Sequence, residues 1–134
     1  MKALVIISAV LMAHSSMALA ENTAVSKLLS DYQSQGAGPG QAQRGEQLWN
    51  QTFAGEAPFT ERSCASCHTS KLSDEGKHAR TGKALKPMAP SINPESLTDV
   101  KKIAKWFKRN CKWTLGRECT VQEKSDILSF INQQ

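Results

Sequence analysis

Cys64-Ala65-Ser66-Cys67-His68 lies near the middle of this 134-residue chain and sets its chemistry. A helical Cys-x-x-Cys puts two sulfurs on one side, one turn apart, within reach of the two vinyl groups of a haem. The following residue, His68, then falls under the iron. Two other uses of these residues compete. A thioredoxin-like redox pair needs a surrounding βαβ pattern, which the chain lacks. A zinc site from Cys64, Cys67, Cys111 and Cys119 would need a second pair spaced more widely than ligand pairs usually are. Covalent attachment of one haem c is the reading the motif favours.

Outward from the motif, the N-terminus is an export signal. Lys2 precedes an almost wholly apolar run from Ala3 to Leu11, and Ala18-Leu19-Ala20 is a small-x-small cleavage site. That pattern predicts a secretory signal peptide over residues 1–20, cut before Glu21. An uncleaved anchor is the alternative, but His14 and the short apolar run argue against a span, which needs about 20 apolar residues. Residues 21–134 then form one exported, periplasmic domain with a modest core.

The leader takes Lys2 with it, so the formal net charge of +5 falls by one. Export excludes genomic DNA as an ordinary partner, and the remaining basic balance points to acidic proteins or anionic surfaces. Met1, Met12, Met17 and His14 also leave. Met88 is then the one thioether donor, and His68 and His78 are the histidines of the mature chain. All four cysteines stay. In an oxidising compartment an even count should be fully used, so two serve the haem and two remain to pair.

Helical periodicity dominates the rest. Val25, Leu28, Leu29 and Tyr32 recur at helical spacing and predict a helix over 23–34. Gly36 through Gly40 break it. A second helix is expected over about 41–52, carrying Leu48, Trp49 and Phe53 inward, with Gly45 open to close approach by another helix. Residues 69–96, with three prolines and two glycines, predict loop wrapped over a haem, and Asn93-Pro94-Glu95 a short helical turn. Residues 98–110 predict a helix with Val100, Ile103, Ala104, Phe107 and Asn110 on one face. Gly116 marks a turn, and Thr120-Val121-Gln122-Glu123 is a capping box opening a last helix with Ile127, Leu128, Phe130 and Ile131. The fold class is all-α.

The sixth iron position has three candidates. Met88 is the ordinary one, because a thioether stabilises ferrous haem. Its placement is awkward, since the 98–110 helix separates it from the final helix, which the Met loop directly precedes in ordinary small cytochromes c. His78 lies in a polar stretch between Lys77 and Arg80. Asn110 ends the apolar face of the 98–110 helix, where an Asn is most often a simple cap.

Arg109-Asn110-Cys111 with Leu115-Gly116-Arg117-Glu118-Cys119-Thr120, and Lys86-Pro87-Met88-Ala89-Pro90-Ser91 before Asn93-Pro94, resemble the sphaeroides haem protein family. The resemblance runs from about Lys27 to Phe130. It implies a class I cytochrome c fold around one haem c, with an extra N-terminal helix. It implies iron ligands His68 and Asn110 and a Cys111–Cys119 disulfide beside them. Asn110 would ligate ferric iron and leave on reduction, opening ferrous haem to O₂, NO or CO, with Met88 reduced to packing. The implied electron donor is a dihaem cytochrome c, with a membrane cytochrome b upstream.

Lys101, Lys102, Lys105, Lys108, Arg109 and Lys112 form one basic stripe. A solvated helix face is the plain reading, and docking to an acidic redox partner the functional one. Three functions follow. The first is an oxygen- or nitric-oxide-handling haem protein fed by a partner cytochrome. The second is a simple periplasmic electron carrier with His/Met ligation. The third is a haem-bearing subunit of a larger oxidoreductase.

Overall fold

The computed structural model describes residues 22–134; the leader expected at 1–20 lies outside the described residues. The elements in chain order are α1 (Thr23–Ser34), α2 (Ala42–Asn50), β1 (Phe53–Ala54), β2 (Glu61–Arg62), α3 (Ala65–His68), β3 (Gly76–Lys77), β4 (Ala84–Leu85), α4 (Val100–Leu115) and α5 (Val121–Asn132). The two antiparallel ladders, β1–β2 and β3–β4, are each two residues long. The architecture is helical.

Each terminal helix is started by a side chain that satisfies otherwise orphaned backbone N–H groups. Asn22 accepts from the N–H groups of Ala24 and Val25, which opens α1. Its buried face is Ala24, Val25, Leu28 and Tyr32. At α5 the capping box forms both ways. Thr120 Oγ1 accepts from Glu123 N–H at 3.1 Å, and Glu123 Oε2 accepts from Thr120 N–H at 2.8 Å.

The main frame is α2 packed on α5. A Cβ at Gly45 would collide with the backbone carbonyl of Asp126, so the helices touch backbone to backbone there. Asp126 clamps the same crossing. Its carboxylate accepts from Gln41 N–H at 2.7 Å, from Arg44 Nε at 2.9 Å and from Gln122 Nε2 at 2.9 Å. Burial pushes this carboxyl upward, but Arg44, the Gln41 N–H and Gln122 outweigh it and hold it below the usual carboxylate range. Trp49 and Phe130 pack across the same interface, ring centroids 6.0 Å apart.

The α4 helix differs from expectation at both ends. It starts at Val100, with Asp99 accepting from Lys102 N–H, and runs on to Leu115, where Gly116 stops it in the left-handed region at φ +72°. Asn110 therefore sits inside the helix and is not its cap. Ala104 is exposed, turned towards the lysine side, while Ile103, Cys111 and Thr114 are buried. Phe53 lies in β1, beyond the end of α2. Asn93-Pro94-Glu95 opens a turn, not a helix, and Ser96 N–H returns to the Asn93 carbonyl at 2.9 Å.

Candidate functional site

The Cys64–His68 segment folds as one short helical turn, with Cys64 at its N-cap position. The N–H of His68 donates to the Cys64 carbonyl at 3.1 Å. Ser63 and Ser66 bond each other through their hydroxyls and backbone N–H groups, which fixes the entry to the turn. Behind it lies β3. A Cβ at Gly76 would strike the Cys67 carbonyl, so only glycine lets this strand lie against α3.

One side of this turn borders a cavity of about 560 Å³, within the range of cofactor and ligand sites. Cys64, Cys67 and His68 line it, with Trp49, Leu85, Met88 and Leu97. Its far wall comes from α4 and α5: Ile103, Trp106, Phe107, Asn110, Trp113, Thr114, Ile127 and Ile131.

The donor groups suit a covalently held haem and not the competing uses. Cys64 and Cys67 are unpaired and half-buried. Burial pushes the Cys64 thiol up to about 11, whereas a redox-active Cys-x-x-Cys needs a lowered value. Burial also lowers the His68 imidazole, with the charge of His78 adding to the shift, which favours the neutral form, the one that binds metal. Its Nδ1 is buried with no hydrogen-bond partner, an unmet bonding requirement of a kind that is rare in folded proteins. Cys111 and Cys119 are bonded to each other, Cα atoms 5.5 Å apart, which removes the four-cysteine zinc alternative. Among the described residues no group of three or more His, Cys, Asp or Glu side chains is placed to hold a metal ion by itself.

All three candidates for the sixth position line the same cavity. His78 sits exposed in the β3–β4 hairpin, its Nδ1 3.2 Å from Thr81 N–H and 3.0 Å from Thr81 Oγ1. Met88 is half-buried and its backbone is pinned on both sides. Its N–H donates to the Leu72 carbonyl at 2.9 Å and its carbonyl accepts from Ser96 Oγ at 2.6 Å. Asn110 reaches the cavity from the middle of α4, one residue before the bonded Cys111, and its side-chain amide has no hydrogen-bond partner among the described residues.

Among the wall residues that sequence reasoning missed are Trp106 and Trp113. Their seven-residue spacing on α4 puts them on one face, which was the available signal. Trp113 is held from outside. Arg62 lies over its ring at 5.0 Å and donates to its carbonyl at 2.9 Å, and Phe59 meets it edge-on.

Comparison with known proteins agrees with this geometry. A family model described as a domain of unknown function (DUF1924) matches residues 35–131. The chain is 38% identical to cytochrome c-type protein SHP of Cereibacter sphaeroides, covering 87% of this chain and 89% of that protein. It is 37% identical to cytochrome c'' of Methylophilus methylotrophus over about half of each chain. The structure of oxidised SHP, described as an oxygen-binding cytochrome c, superposes with a TM-score of 0.75 at 35% identity, covering 85% of this chain and all of that one. A solution structure of cytochrome c'', described in terms of haem-ligand detachment, gives a TM-score of 0.70 at 30% identity over 85% and 96% of the two chains. With a helical fold wrapped round a cavity that the Cys-x-x-Cys-His turn borders, the chain belongs to the sphaeroides haem protein family and is a monohaem cytochrome c with covalently bound haem c.

Proposed function

We propose that this is an exported gas-binding cytochrome whose distal Asn110 is a releasable iron ligand. Residues 1–20 direct export and residues 21–134 form the cytochrome domain. Cys64 and Cys67 make the thioether links, and His68 is the proximal ligand. The haem supplies an iron that takes a diatomic gas when one axial position is open. Asn110 closes that position in the ferric protein and gives it up on reduction, because an amide is a hard, weak donor better matched to Fe(III) than to Fe(II). Met88 packs over the haem without ligating. The Cys111–Cys119 bond fixes the backbone beside Asn110. Electrons come from a partner cytochrome, a dihaem cytochrome c by family resemblance, and the gas is O₂ or NO.

One observation carries this reading: a free amide, Asn110, shares the cavity with His68. Support comes from the oxygen binding described for SHP and the ligand detachment described for cytochrome c''. The second reading, a His68/Met88 electron carrier, has its own observation, since Met88 lines the same cavity. Carbon monoxide separates the two. The reduced protein should be high-spin and bind CO rapidly. A low-spin ferrous spectrum indifferent to CO would leave the electron-carrier reading alone standing.

A further inference from the structure

Helix α4 is charged on one side in a way its own stability does not explain. Between Val100 and Leu115 the chain has six basic residues and no acidic one. All six are exposed and none joins an ion pair among the described residues. Lys112 in the last turn favours the helix dipole, but Lys101 and Lys102 sit in the first turn, where positive charge opposes it. The acidic groups nearby are already engaged: Asp99 caps the helix, and Glu95 pairs with Lys86 at 2.9 Å.

Trp106 stands where this basic field meets the cavity, with Lys105 Nζ 5.6 Å and the Arg109 guanidinium 5.2 Å from its ring centre. Tryptophan and arginine are the side chains most often found to dominate binding energy at protein interfaces. The same Trp106, with Lys102 and Arg109, also lines the haem cavity. The charged surface and the cofactor site therefore share a wall one side chain thick.

We propose that this face of α4, centred on Trp106 between Lys105 and Arg109, is the docking surface for an acidic one-electron donor protein. The inference rests on the assignment of the cavity to the haem, and deepens the partner reading above. The lysines steer an acidic surface into contact. Trp106 anchors it, and one electron passes across the shared wall to ferric haem as the donor is oxidised by one electron.

The test follows reduction of the ferric holoprotein in a stopped-flow experiment, with reduced plant-type ferredoxin, an acidic low-potential donor, as the probe. The second-order rate constant should fall about tenfold as ionic strength rises from about 0.01 M to about 0.2 M. Lys105→Glu combined with Lys108→Glu should lower the low-salt rate about tenfold, while Lys27→Glu on α1 should leave it within about twofold. Trp106→Ala should slow the reaction at high salt as well, where the charges are screened. Dithionite should reduce the Lys105/Lys108 and Lys27 variants at the wild-type rate, showing an intact haem site. A salt-independent rate overturns the proposal. So does an equal loss in the Lys27 variant, which would mean net charge alone matters. It is overturned too if the α4 reversals spare the ferredoxin reaction and abolish binding to anionic phosphatidylserine vesicles, since the face would then be a membrane contact. Failure of CO binding would remove the Asn110 reading and leave this result untouched.

Discussion

The indole N–H of Trp49 donates to the carbonyl of Thr69 across 2.8 Å, tying α2 to the residue that follows His68. Thr69 holds a left-handed backbone at φ +63°, unusual for a residue that is not glycine. The Trp49 ring also lies 5.7 Å from the His68 ring. One side chain thus carries the α2–α5 frame to the His68 ring. Trp49→Phe keeps most of the packing and removes the hydrogen bond. Thermal unfolding followed at the haem band should show a loss of about 1–2 kcal/mol. Unchanged stability would mean that Thr69 is held by other contacts.

Asp126 predicts a pH dependence. Its folded-state carboxyl is held below the ordinary value near 3.9. Its contribution is therefore fully present above about pH 4 and is lost as pH falls through the depressed value. Denaturant unfolding at about pH 6 and about pH 3 should show the wild type losing stability on acidification. Asp126→Asn should be weaker by about 1–3 kcal/mol at the higher pH and lose less on acidification. Some slope should survive, because Arg117 holds the Glu123 carboxyl down as well. An unaltered slope in the variant would clear Asp126 of the effect.

The two rival distal residues are separable by substitution. Asn110→Val should change the ferric spectrum towards a five-coordinate or water-ligated form and leave ferrous CO binding fast. Met88→Leu, nearly equal in volume, should leave both spectra close to wild type and cost less than about 1.5 kcal/mol. The opposite pattern would make Met88 the ligand.

The Cys111–Cys119 bond closes a short loop, with a sequence separation of 8. Replacing both cysteines with serine should lower the unfolding free energy by about 2–3 kcal/mol on the loop-entropy model. If the bond also steadies Asn110, the ferric spectrum should show a second, pH-dependent component in the variant. A melting shift with an unaltered ferric spectrum would confine the bond to a structural role.

Much of this was legible in the chain. Residues 23–34 repeat an apolar face at helical spacing, and the helix occupies Thr23–Ser34. Thr120 and Glu123 announce a helix start and make both bonds of the box. Gly45 sits where two helices touch. The end of α4 was not legible. Cys111-Lys112-Trp113 interrupts the apolar pattern, and the helix continues because Cys111 and Thr114 are buried against the rest of the molecule and Gly116 supplies the stop. The β1–β2 and β3–β4 ladders were invisible for a different reason. Two residues are too few to show a period of two. At the site, the Cys64–His68 helical turn was readable from residue types and spacing, and it borders the cavity. The seven-residue spacing puts Trp106 and Trp113 on one face of α4, but that this face borders the cavity depends on how α4 is set against α1 and β1.

The position of Asn110 inside α4 bears on timing. A ligand carried on a loop can leave by the loop swinging away, and such motions take nanoseconds to microseconds or longer. Here the neighbouring residues are locked by the helix on both sides and by the Cys111 bond. If this amide is the axial group, it can depart only by turning about its own side-chain bonds, a jump between rotamers. Opening would then be quick and nearly free of chain rearrangement, and the pace of gas capture would be set by how often a gas molecule arrives.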